Sequence, residues 1–197
     1  MSGYRTRDFA ADGAGFVDAL GLGPVVVVGH SMGSTNATRF AIDYPEHVLG
    51  LVLIGSFCTY RGNSTMVDLW QTDVSQLKDP IDPGFVREFQ ESTLAQPVSP
   101  AFLDMVVQES LKAPARVWRA ALEGLLEDDF AGEVHKIEAP TLLVWGGRDA
   151  LCSRRDHDVL LSAIAQARLV VYENAGHAAH WEEPERFATD LVAFIES

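Results

Sequence analysis

Apolar residues in the opening stretch recur at helical spacing. Phe9, Phe16, Val17 and Leu20 share one face, and Gly21 and Gly23 stop the pattern, so a helix is predicted over 7–20. The rhythm then becomes an unbroken β-branched run, Val25-Val26-Val27-Val28, closed by Gly29. Such a run suits a strand covered on both faces, as in a parallel sheet. Helical spacing returns over 32–44, through Met32, Ala37, Phe40, Ala41 and Tyr44, and ends at Pro45. A second solid apolar run, Val48 to Ile54, predicts another buried strand.

From Cys58 to His135 no strand pattern appears. Asp82-Pro83 and Ser99-Pro100 each place an N-cap residue before a proline at the first helical position. Helices are predicted over 83–94, 100–112 and 114–127, with Phe85, Phe89, Phe102, Val106, Trp118, Leu122 and Leu125 at helical spacing. Residues 58–135 thus read as a helical insertion. The alternation then resumes: a strand over Thr141–Trp145, a helix over Arg155–Gln166, a strand over Leu169–Tyr172 and a helix over Glu183–Glu196. Alternating strands and helices imply an α/β fold on a parallel sheet, here of about four strands. Ligands on such sheets bind beyond the carboxyl ends of the strands. Functional residues are therefore expected after Val28, Ile54, Trp145 and Tyr172.

Charge and cysteine usage narrow the partners. With 15 Lys+Arg against 28 Asp+Glu the formal net charge is −13, which argues against binding to nucleic acid or to an anionic membrane surface. Two cysteines, Cys58 and Cys152, are too few for a disulfide framework and match no zinc spacing, so a reducing cytoplasm is expected. The polar stretch Met1–Ala10 reads as no signal peptide, and no apolar run approaches the ~20 residues of a membrane span.

The strand ends carry the chemistry. Gly29-His30-Ser31-Met32-Gly33 is a G-x-S-x-G motif between a strand and a helix, the setting of a nucleophile elbow. Ser31 is the candidate nucleophile on a strained turn, Gly29 and Gly33 are expected to avoid collisions, and the Met32 N–H is placed to donate to an oxyanion. His30 is expected to pack behind the nucleophile rather than ionise. After Trp145, Gly146-Gly147-Arg148-Asp149 offers Asp149 as the acid. Asp156 and Asp158 are rivals that fall on or near the next helix. Gly55-Ser56-Phe57, after Ile54, holds no carboxylate, which favours Asp149. After Tyr172, His177 is the candidate base, and His180 is its rival. The two histidines also suggest metal ligands, but no cysteine or third histidine falls at ligand spacing nearby, so no metal is predicted. His47, His135 and His157 read as surface histidines.

The order Ser31, Asp149, His177, each after a different predicted strand, resembles the triad of the α/β-hydrolase superfamily, in the branch with a helical cap. The matching segments are Val25–Gly33, Tyr44–Val48, Pro140–Asp149 and Gly176–Pro184. The resemblance implies a hydrolase core over 1–57 and 136–197, with a cap over 58–135. It implies a serine hydrolase acting without a cofactor on a small apolar ester or related acyl substrate. A perhydrolase (haloperoxidase type) or a C–C hydrolase would use the same triad. Ser153 stands where many relatives have proline. One departure is larger. In the family, several strands and a loop that donates the second oxyanion N–H precede the opening helix, and this chain shows only the helix. The N-terminal half of the sheet is therefore expected to be missing. Either Met1 is a misassigned start or the chain is a fragment, or it is an impaired enzyme or binding module on the same scaffold. Val25–Val28 would then be an open edge, and self-association through it is expected.

Overall fold

The computed structural model describes residues 3–197. Helix α1 (Thr6–Ala19) precedes strand β1 (Val25–His30), helix α2 (Met32–Asp43) and strand β2 (Val48–Ile54). Strand β3 (Thr141–Gly146), helix α7 (Arg154–Ala163), strand β4 (Ala167–Tyr172), the short helix α8 (Ala179–Glu182) and helix α9 (Pro184–Ile195) complete the chain. Between β2 and β3 lie α3 (Ser64–Thr72), α4 (Pro83–Ser92), α5 (Pro100–Ser110) and α6 (Ala115–Glu127). The four strands form one parallel sheet in the order β1-β2-β3-β4. In register, His30 pairs with Ile54, Ile54 with Val144, and Gly146 with Tyr172, so the carboxyl ends form one rim.

Side chains alternate across the sheet. Leu51, Leu53 and Leu143 face Ala37 and Ala41 of α2 and Leu160 and Ile164 at α7. Val52, Ile54, Leu142 and Val144 face Phe194 of α9 on the other side. Each fully buried leucine of this set contributes about 1.5–3 kcal/mol. The expectation of two covered faces holds for β2 and β3 but not for β1. Among the described residues β1 pairs with β2 alone, its residues are mostly half-buried, and Val28 is 46% exposed. Helix α1 packs on α2 through Ala10, Ala14, Val17 and Phe40.

The predicted starts at Pro83 and Pro100 are those observed, with Asp82 Oδ1 accepting from Gly84 N at 2.9 Å and Ser99 Oγ from Phe102 N at 3.2 Å. Helix α3 is an addition to the sequence reading, and its signal was Asn63, whose Oδ1 accepts from Met66 N at 3.1 Å. The two ends of the helical segment meet. Thr59 and Asp129 form an antiparallel bridge, and Phe130 N–H donates to Cys58 O at 3.3 Å. Arg39 of α2, buried, pairs with Asp43 and reaches Glu133 at 2.9 Å, fastening the end of the segment to the sheet layer. Among the described residues no helix is long and apolar enough to cross a membrane.

Candidate active site

Ser31 follows β1 with φ +53°, the one non-glycine residue with positive φ among the described residues. Its N–H continues the sheet by donating to Ile54 O at 3.0 Å, and α2 starts at the next residue. A tight strand-to-helix reversal accounts for the strain. Ser34 Oγ donates to Ser31 O at 2.6 Å and Thr35 Oγ1 to Met32 O at 2.7 Å, so two hydroxyls brace the turn. Gly29 is required: a Cβ there would lie 2.3 Å from Gly33 O and 2.7 Å from Ser34 Cα. The expected collision at Gly33 is not found. A Cβ there meets nothing within 4 Å, because it opens into the space beside the elbow instead of onto the strand.

Asp149 and His177 meet across the rim. His177 Nδ1 donates to Asp149 Oδ2 at 2.8 Å, and both side chains are shut off from water. The other oxygen of Asp149 accepts from Leu151 N at 2.8 Å and Cys152 N at 2.9 Å, so three donors hold the carboxylate. His177 Nε2 is buried without a hydrogen-bond partner. It belongs to a cavity of about 390 Å³ whose wall also includes Ser31, Met32 and Gly33. The remaining wall comes largely from the helical segment, including Met66, Leu69, Phe89, Trp118 and Leu122. Gly55, at φ +53°, lets the chain pass the imidazole, since a Cβ there would lie 2.7 Å from His177 Nδ1.

The rivals lie elsewhere. Asp156 and Ser153 form the capping box of α7, with Ser153 as the N-cap and Asp156 Oδ2 accepting from Ser153 N at 2.7 Å. Asp158 pairs with Arg154 at 2.8 Å on the surface. His180 packs between His30, at 4.6 Å between ring centroids, and Trp181, at 5.3 Å. Burial, reinforced by His177, pushes the His180 pKa down to about 4. His30 Nε2 donates to His177 O at 3.0 Å, and burial holds its pKa well below the ordinary range, so it is a neutral brace behind the elbow.

Two groups escape sequence reading. His157 is not a surface residue but fully buried, with Nδ1 donating to Ser153 O at 3.1 Å and Nε2 accepting from Ser56 N at 3.2 Å. It links α7 to the turn after β2. Cys152 also lies beside the acid, and Asp149, Cys152 and His177 bring one potential ligand atom each within 4.8 Å of one another. The thiol donates to Gly55 O at 3.2 Å, and burial, then the Asp149 charge, push its pKa well up. A thiol held protonated is a poor metal ligand.

The sequence profile of the α/β hydrolase fold matches residues 2–184. A 2-hydroxy-6-oxononadienedioate/2-hydroxy-6-oxononatrienedioate hydrolase of Pseudomonas putida is 29% identical over 196 residues, covering 92% of this chain and 66% of that protein. The chain spans about two thirds of the length of the curated relatives it matches. Among solved structures, an esterase from Exiguobacterium antarcticum superposes with a TM-score of 0.88 at 25% identity, covering 100% of this chain and 75% of that one. A bromoperoxidase from Bacillus anthracis reaches 0.87 at 19% identity, with 100% and 76% covered, a likeness of fold alone.

Proposed function

The chain belongs to the α/β-hydrolase fold family, and on that premise we propose that it is a serine hydrolase cleaving carboxylic esters or related acyl compounds. One observation carries the reading: the sealed Asp149–His177 pair opens on the cavity that contains the strained Ser31. Ser31 Oγ attacks the carbonyl carbon while His177 Nε2 takes its proton. Asp149 holds the Nδ1–H tautomer and stabilises the imidazolium. Met32 N–H, at the first turn of α2 where helical N–H groups lack internal partners, donates to the oxyanion. Collapse of the tetrahedral intermediate leaves acyl-Ser31 and an alcohol that receives the proton from His177. Water, deprotonated by His177, then releases the acid and restores Ser31.

Residues 58–135 are the proposed cap, and they set the substrate class. Among the described residues no Lys or Arg lines the cavity. The Pseudomonas relative is named for dioates, which carry two carboxylates. An unpaired carboxylate in an apolar wall is strongly disfavoured. The substrate here is therefore a neutral, apolar acyl compound. With p-nitrophenyl esters, butyrate to octanoate are expected to exceed a half-ester of a dicarboxylic acid in kcat/KM by at least ~10-fold, the equivalent of about 1.4 kcal/mol. Equal rates would remove the charge argument. Bromination with peroxide faster than ester hydrolysis would move the assignment to a perhydrolase, and reversible ester binding without an acyl-Ser31 would move it to a binding module. Cys58 and Cys152 are both free and buried, which supports a reducing compartment.

A second copy is the proposed partner of the β1 edge. Val28 is 46% exposed there, beside Phe16 at 61% and Leu22 at 46%, and no charged residue occurs between Asp18 and Arg39. Strand β1 itself carries no charged residue, so pairing β1 to β1 sets no like charges opposite one another. Two copies pairing β1 to β1 would satisfy the open N–H and C=O groups. Sedimentation velocity is expected to show a dimer that Val28→Lys converts to monomer. A wild-type monomer at the same concentration rejects the interface.

A further inference from the structure

We propose that Glu182 is a positioning residue that makes the seating of the helical segment and the placement of His177 one event. This rests on reading His177 as the base. Glu182 ends α8, five residues after His177. Its carboxylate is divided between two parts of the chain. Oε1 accepts from Gly176 N at 2.8 Å, while Oε2 accepts from Ala95 N at 3.1 Å and from Gln96 N at 2.7 Å. Gly176 immediately precedes His177, and His177 N–H itself donates to Thr93 O at 2.9 Å. Residues 93–96, just past α4, are thus bolted to the His177 loop by three hydrogen bonds, two of them through one carboxylate, whose other oxygen holds Gly176. Bonds to an ionised acceptor are roughly twice as strong as neutral ones.

The crossing is tight enough to exclude a side chain. A Cβ on Gly176 would lie 2.7 Å from Ala95 N, 2.8 Å from Thr93 O and 3.1 Å from Glu182 Oε1. Trp181, beside Glu182, packs edge-on against Phe102 of α5 at 5.6 Å, adding an apolar contact to the same junction. His177 is therefore held at its N–H by the helical segment, at its carbonyl by His30 and at its ring by Asp149. Removal of the Glu182 carboxylate leaves the first of these anchors, the bond to Thr93 O, without the flanking bonds that hold Gly176, Ala95 and Gln96 in place, and so loosens it. The Asp149 bond then acts as a pivot about which Nε2 drifts from the Ser31 side of the cavity.

Glu182→Ala in the full chain tests this with two readouts. On p-nitrophenyl butyrate, kcat is expected to fall about 30-fold with KM within about twofold, as befits a misplaced group of order 1 Å. By proton NMR, the far-downfield signal of the His177 Nδ1–H bonded to Asp149 is expected to broaden or shift. Glu182→Gln, which keeps one acceptor oxygen, is expected to recover part of both, and it carries the test should the alanine variant not fold. Wild-type kcat and an unmoved resonance in both variants overturn the proposal. The NMR readout needs no turnover. If the wild type neither hydrolyses esters nor acylates Ser31, the hydrolase reading fails while the resonance still reports on Glu182.

Discussion

Ser31→Ala is expected to abolish covalent labelling by a fluorophosphonate and to lower ester hydrolysis by at least ~10⁴-fold. The substitution isolates chemistry from folding. Ser31 sits at φ +53°, where alanine fares no worse than serine, and the elbow is braced by the main chain of Ser31 through Ser34 Oγ and by its N–H to Ile54 O. The hydroxyl itself takes no part in that bracing. The variant should therefore keep the wild-type melting transition and lose only the bond-forming oxygen. Mass spectrometry of the labelled peptide reads the result directly. Equal labelling of wild type and variant would place the nucleophile elsewhere and sink the assignment.

Asp149→Asn is expected to lower kcat about 10⁴-fold with the fold intact. The reason lies in how the carboxylate is held. Oδ1 accepts two backbone N–H groups, from Leu151 and Cys152, and Oδ2 accepts the His177 proton. An asparagine must put its carbonyl oxygen toward the two fixed N–H donors. Its NH₂ then faces His177 Nδ1, which has to accept. The imidazole proton is driven to Nε2, and the nitrogen that should deprotonate Ser31 becomes a donor. Labelling by a fluorophosphonate should slow but persist, which separates this variant from Ser31→Ala. Loss of less than about tenfold in kcat would mean that Asp149 only packs against the ring.

Much of this arrangement is legible along the chain because it obeys local rules. The solid runs at Val48–Ile54 and Thr141–Gly146 announce buried parallel strands, and the proline-led starts of α4 and α5 announce themselves through Asp82 and Ser99. Counting from strand ends then selects Ser31, Asp149 and His177 without knowledge of distant contacts. What escapes depends on such contacts. His157 looks like one polar residue among the charges of α7, yet Ser56, 101 positions away, supplies the N–H that lets it be buried. Glu182 reads as a surface acid near a helix start, and its partners at Ala95 and Gln96 lie 87 and 86 positions away. The run Val25–Val28 by itself suits a strand covered on both faces, and its place at the sheet edge is legible only from counting strands along the chain: a β-branched run reports the taste of a strand for company, not whether a neighbour stands beside it.

The bridge between Thr59 and Asp129 has a consequence for how such a chain can change. Because the two ends of the helical segment are pinned together, the loop between them is closed whatever its contents. Doubling the length of a closed loop costs only about 0.6 kcal/mol. Helices can therefore be lengthened, shortened or exchanged at small cost, and with them the wall of the cavity, while Ser31, Asp149 and His177 stay on strand ends outside the loop. On the proposed reading, substrate preference is free to wander and the reaction is not. One short stretch, residues 93–96, is less tolerant. Any replacement segment must still present backbone N–H groups to Glu182 and a carbonyl to His177.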